Sequence, residues 1–163
     1  MKRMKIFAAG MILAFVATTV SAQERGCILL KTVAEIERVD TNERGEKTTR
    51  LVPAEKIVPG DEVVYTVSAT NICDEPADAV VIDNPVPEHM KYLVNSAVGP
   101  GTEVTYSIDS GFHYDKPAAL KVPNPDGSQR EARADEYTNI RWVMRNPLKP
   151  GSVAFARFRA RLE

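Results

Sequence analysis

Histidine occurs only twice in the 163 residues, as His89 and His113; cysteine occurs twice, as Cys27 and Cys73, and tryptophan once. Nucleophilic catalysis needs a serine or cysteine within hydrogen-bond reach of a histidine that a carboxylate orients. Neither a Gly-x-Ser-x-Gly elbow nor a His-Glu-x-x-His helix is present to build such a site. His89 follows Pro87-Glu88 and His113 lies in Gly111-Phe112-His113-Tyr114-Asp115, so both read as exposed loop residues. The cysteines have neither CxxC spacing nor a histidine cluster nearby, which removes the common zinc and thiol-redox motifs. Oxygen ligands at Asp74, Asp78, Asp83 and Asn124-Pro125-Asp126-Gly127 lack the spacing of a calcium loop, and the last four read as a tight turn. The expectation is a non-enzymatic protein without a cofactor or a bound metal.

Basic charge is not in excess either. There are 21 Lys and Arg against 22 Asp and Glu, and Lys2, Arg3 and Lys5 lie in the first few residues, so the remainder is acidic on balance. No basic run interleaves with aromatics, which leaves no electrostatic footprint for nucleic acid or an anionic membrane. Internal repeats and low-complexity segments are absent, and no long helix is convincing.

A long apolar run is found only near the start, from Ile6 to Val20, after a positive n-region and before the small residues Val20-Ser21-Ala22. This pattern is that of a secretory signal peptide over 1–22, cut between Ala22 and Gln23. The run is shorter than the roughly 18–20 residues of a spanning helix, which disfavours an uncleaved anchor. Glu24-Arg25-Gly26 is charged where a lipid-attachment motif before Cys27 would be apolar. Export to the periplasm, the cell surface or the medium is expected, with residues 23–163 as one domain that has no membrane span.

What is present is alternation. Val63, Tyr65, Val67 and Ala69 alternate with Val64, Thr66, Ser68 and Thr70, after a turn at Pro59-Gly60-Asp61 and before a corner at Asn71. Ala79 to Ile82 reads as the next strand, stopped by Asp83-Asn84-Pro85-Val86-Pro87. Tyr92 to Val94, the run holding Val104, Tyr106 and Ile108, Ala119 to Val122, and the run holding Ile140, Trp142 and Met144 follow, with turns at Gly99-Pro100-Gly101, Asn124 to Gly127 and Lys149 to Ser152. The last strand sets Ala154, Ala156, Phe158, Ala160 and Leu162 against Arg157, Arg159 and Arg161. Residues Ile28 to Val39 fit either a strand or an amphipathic helix; β neighbours favour the strand. Asp40 to Thr49 reads as an exposed hairpin tip. Seven or more short strands separated by turns imply an all-β sandwich with Greek-key connections.

VPGDEVVYTVSATN, AVVIDNPVPEHM and LKPGSVAFARFRA together resemble the bacterial domain-of-unknown-function family eleven, on Pro59, Gly60, Asp61, Tyr65, Thr66, Asn71, Asp83, Pro85 and Pro87. The resemblance covers Val58 to Leu93 well, Pro150 to Ala160 moderately, and Ser96 to Arg145 loosely. It implies an immunoglobulin-like sandwich of about seven to nine strands in the cell envelope or at the surface. This chain shows a single unit and no visible cell-wall or outer-membrane anchor, so a small subunit or secreted factor fits better than a spacer in a stalk.

An oxidising compartment permits a Cys27–Cys73 bridge if the Cys27 strand runs antiparallel to the Glu62–Asn71 strand; free or intermolecular thiols are the alternative. Lys31 could enter an isopeptide bond, but no matching Asn stands in the last strand. The arginine face reads as a solvated face, near Glu103 or Glu136, that discourages edge pairing, or as a patch for an acidic partner or polysaccharide. The function expected is a structural or protein-interaction subunit of the envelope or surface, acting by surface complementarity or strand addition. A small carbohydrate- or calcium-binding protein is the alternative, with Phe112, Tyr114 and Tyr137 as candidates for an exposed aromatic cluster.

Overall fold

The computed structural model describes residues 26–163; the expected signal peptide and its cleavage point at Ala22 and Gln23 lie outside the described residues. Ten strands account for most of the regular structure: β1 (Ile28–Thr41), β2 (Lys47–Pro53), β3 (Glu62–Asn71), β4 (Val81–Pro85), β5 (Met90–Tyr92), β6 (Thr102–Ser107), β7 (Lys121–Pro123), β8 (Gln129–Glu131), β9 (Asn139–Met144) and β10 (Val153–Leu162). The count exceeds the expected seven to nine because β5, β7 and β8 are pieces of three residues each. The only helical elements among the described residues are two single 3-10 turns, Pro117–Ala119 and Ala134–Glu136.

All pairings are antiparallel. One sheet has the order β2-β1-β3-β10-β5 and a second the order β4-β9-β6, with β7 and β8 forming a separate hairpin. The chain crosses between the two large sheets at β3–β4, β4–β5, β5–β6 and β9–β10. Period two then decides which side chains meet. Val63, Val67 and Ala69 of β3 and Ala156, Phe158 and Ala160 of β10 join Ile82 of β4 and Ile140 and Trp142 of β9 in one core cluster. Trp142 and Phe158 face each other across the layers with ring centroids 6.2 Å apart, and Tyr65 stacks on Phe158 at 4.9 Å. This is a two-layer β-sandwich, and the inward and outward sets of β3, β9 and β10 are those the alternation implies.

Two local differences have physical causes. The strand expected from Ala79 begins at Val81, because Ala79 takes a positive φ of 49° that no strand residue can keep. It runs through Asp83 and Asn84 to Pro85, the last ladder position, where a missing N–H is tolerated. The strand expected at Tyr92–Val94 instead covers Met90–Tyr92.

Candidate functional site

Several of the residues that carry the resemblance lie at turns and joints of the scaffold. Gly60 holds φ +98°, and Asp61 closes the turn twice, its N–H donating to the Val58 carbonyl (3.0 Å) and its carboxylate accepting from the Val58 N–H (2.8 Å). Asn71 is fully buried; its amide donates to the carbonyls of Glu75 (2.7 Å) and Leu148 (2.8 Å) while its oxygen accepts the Cys73 N–H (3.0 Å). Thr66 accepts a hydrogen bond from Arg157 (3.0 Å). Asp83 accepts from Tyr114 (2.6 Å) and from Arg141 (2.8 Å), and the Arg141 guanidinium lies 3.5 Å over the Tyr114 ring. Burial, with the hydrogen bond to Asp83, holds the Tyr114 hydroxyl up at about 12. Pro87 opens a turn closed by the Met90 N–H (3.0 Å), with His89 at φ +62°.

Cys27 and Cys73 are bridged, as the antiparallel β1–β3 placement allows: the ladder continues through the Ile72 N–H donating to the Cys27 carbonyl (2.8 Å), and the Cα atoms are 5.2 Å apart. The remaining candidates are dispersed. Phe112 is 83% exposed at a loop tip, Tyr114 leans on Arg141, and Tyr137 is buried in a cluster with Tyr92 and Tyr106, so the three do not form one exposed aromatic surface. Among the described residues, no three His, Cys, Asp or Glu side chains converge in a way that would hold a metal.

Each histidine has been given a carboxylate neighbour by the fold. His113 Nδ1 lies 2.5 Å from Asp109, whose other oxygen accepts from Ser107 (2.7 Å). The carboxylate therefore stands between serine and histidine, whereas a nucleophilic triad needs the histidine in the middle. The His113 backbone N–H, Ser107 and the His113 ring hold the Asp109 carboxyl far below the usual range. His89 lines a surface cleft of 580 Å³ with Glu88, Ser110, Asp135, Tyr137 and Asn139, and its ring lies 3.7 Å from the Glu88 carboxylate.

The arginine face of β10 divides in two. Arg159 pairs with Glu37 and Arg161 with Glu62, not with the expected Glu103 or Glu136, because β10 lies beside β3, which carries Glu62, and Arg159 reaches across β3 to Glu37 on the same face of β1. Glu103 is taken by Lys116 (2.8 Å) and Glu136 by Arg130 (2.6 Å). Arg157 has only its bond to Thr66 and, among the described residues, no carboxylate.

One sheet edge stands open. β2 runs beside β1 only from Glu35 to Thr41; after Pro53, the Ala54 N–H donates to the Ala34 carbonyl (3.0 Å), and the chain turns away. From Ile28 to Val33, β1 pairs, among the described residues, with β3 alone. Odd residues of β1 bond to β3, as Cys27 does, and even residues face the other way, as Ala34 does. The N–H and C=O groups of Ile28, Leu30 and Thr32 therefore project from the free edge. Exposed apolar side chains flank them on both faces: Leu30 (49%) inward, Leu29 (56%) and Val33 outward. The outward row continues through Val153 and Phe155, aligned with Leu29 and Lys31 across Thr70 and Ser68. Serine and phenylalanine as cross-strand neighbours leave Lys31 no isopeptide partner there.

The edge strands β2, β4 and β6 carry deterrents to pairing. β2 presents Lys47, Arg50 and Pro53; β4 is five residues long with Pro85; β6 is covered by Asp115 at Tyr106, and Lys116 donates to the Val104 carbonyl (2.9 Å). The sequence signal for the open edge was the unequal hairpin. Fourteen residues of β1 face only seven of β2, so half of the longer arm lacks a partner. No family model, curated protein or solved structure matches the chain.

Proposed function

We propose that this chain is an exported, non-enzymatic module, an immunoglobulin-like sandwich of the kind the family-eleven resemblance implies, that serves as a structural or protein-interaction subunit of the bacterial cell envelope or surface. The open, apolar-flanked edge of β1 carries this reading, since an unshielded strand edge is a template for a second polypeptide. The disulfide and the leader-like first 22 residues support an oxidising, exported setting. Neither nucleic acid nor a cofactor belongs to the proposal.

Cross-linking of the native protein in intact cells, with mass spectrometry of what is captured, tests it. The expected result is one reproducible envelope or surface protein; a monomer with no partner in that compartment overturns it. The 580 Å³ cleft beside His89, lined by Tyr137, Asn139, Glu88 and Asp135, favours the carbohydrate side of a second reading, a small carbohydrate- or calcium-binding protein. Saturable glycan or calcium binding abolished by changes at Asp135 and Glu88 would establish that reading instead.

A further inference from the structure

We propose that the edge of β1 between Ile28 and Val33 takes an extended peptide segment that adds to the sheet and sets an acidic residue, flanked two positions away by apolar ones, against Lys31. This rests on the interaction-module reading and specifies its partner.

The backbone fixes the partner's conformation. Ile28, Leu30 and Thr32 each offer an outward donor and acceptor at every second residue, a spacing that only an extended chain matches, over about 20 Å of strand. The flanking side chains fix its pattern. On the outer face, the added strand would meet Leu29, Lys31 and Val33 in turn, apolar, cationic, apolar; on the inner face it would meet Leu30. Charge fixes its sign. Among the described residues Lys31 has no ion pair, and neither has Arg157, which stands on the same outer face beyond Thr66, the β3 partner of Val33. At the free edge Lys31 stands between the exposed Leu29 and Val33, where a partner's carboxylate would be compensated and partly shielded from water; Arg157, with β1 and β3 between it and an added strand, only adds to the positive balance of that face.

A second copy of this chain fits less well. Self-pairing centred on Ile28–Val33 would set a segment with no acidic residue against itself and bring the two Lys31 side chains close together. The nearest acids of the strand, Glu35 and Glu37, lie where β2 already occupies the edge.

The test uses the disulfide-intact protein and the blocked peptide Thr-Val-Ile-Glu-Leu-Val-Thr, with backbone amide exchange followed residue by residue in NMR. Added peptide is expected to slow exchange at Ile28, Leu30 and Thr32, whose amides face the edge, and to leave the core amides of β3 unchanged. Lys31→Glu should weaken the peptide about tenfold, and the same peptide with Lys in place of Glu should recover that loss on the variant. Leu30→Pro removes an outward N–H that the fold does not use and should abolish binding; Lys31→Glu keeps the question open to test if that variant misfolds. No protection at these amides overturns the proposal, as does protection that ignores the charge swap. Protection that grows with protein concentration, without peptide, identifies a second copy as the occupant and also overturns it. If the edge fails while cells still yield a surface partner, the interaction reading stands and only the site is wrong; if neither appears, both fall.

Discussion

Replacing both cysteines, Cys27→Ser with Cys73→Ser, tests how the start of β1 is held. The bridge links residues 46 apart in sequence. Closing a loop of that length removes about 4 kcal/mol worth of freedom from the unfolded chain on the chain-entropy account. That is a large share of the roughly 5–15 kcal/mol that ordinarily separates folded from unfolded domains. For a domain of this size it corresponds to a fall in melting temperature of about 10–15 °C. The sole tryptophan, Trp142, is fully buried between the sheets, so its emission reports loss of the core in a thermal scan of the two proteins. The effect should also be local. Between Ile28 and Val33, β1 has β3 on one side and, among the described residues, no strand on the other, so without the staple its amides should exchange faster than those of Val63 to Val67. A fall of less than about 3 °C, with β1 and β3 amides accelerated equally, would refute the idea that the bridge secures this edge.

Two further perturbations probe the joints. Asn71→Asp replaces two amide donors by a fully buried carboxylate aimed at the carbonyls of Glu75 and Leu148, and should cost about 3 kcal/mol or more in urea unfolding at neutral pH. Acidification should return part of that loss as the new carboxyl protonates; equal destabilisation at all pH values would contradict the assigned contacts. Glu136 is held at about 2, against 4.5 for a free glutamate, by hydrogen bonds from the Arg130 guanidinium and the Arg133 backbone N–H. Its contribution is therefore present above pH 4.5 and is lost as pH falls from 4.5 towards 2. Glu136→Gln should flatten the melting temperature profile in that window, leaving the part that Asp109, depressed in the same direction, still supplies; an unchanged profile would remove Glu136 from the account.

The faces of the strands were legible in the sequence, and their neighbours were not. Alternation separates Val63, Val67 and Ala69 from Thr66 and Ser68 because a pleated strand turns successive side chains to opposite sides. It is silent on which strand lies next, and that is why Arg159 and Arg161 were expected near Glu103 or Glu136 when the register sets them by Glu37 and Glu62. The Cys27–Cys73 bridge was readable because it needed only one pairing, β1 with β3. Asn71 was visible as a corner; its grip on Leu148, across 77 residues, depends on tertiary contact that no local pattern encodes. The open edge is intermediate, since the unequal arms of the first hairpin imply it once Pro53 is taken as the end of β2.

The outer face of the larger sheet shows why this edge is more than an unfinished pairing. Towards Glu37 and Glu62 its cations are neutralised and its surface is that of an ordinary solvated sheet. Towards Cys27 the same sheet exposes Leu29, Val33, Val153 and Phe155 and, among the described residues, leaves Lys31 and Arg157 without carboxylates. A strand that merely lacked a neighbour would be expected to carry the charges, prolines or covering side chains that β2, β4 and β6 carry. β1 carries only Lys31 there, and the disulfide fixes its start to the end of β3. A staple at that point keeps the edge extended while it is empty. An incoming segment then bears its own ordering cost and not that of β1, which is the condition under which a short strand, with few contacts, can bind at all.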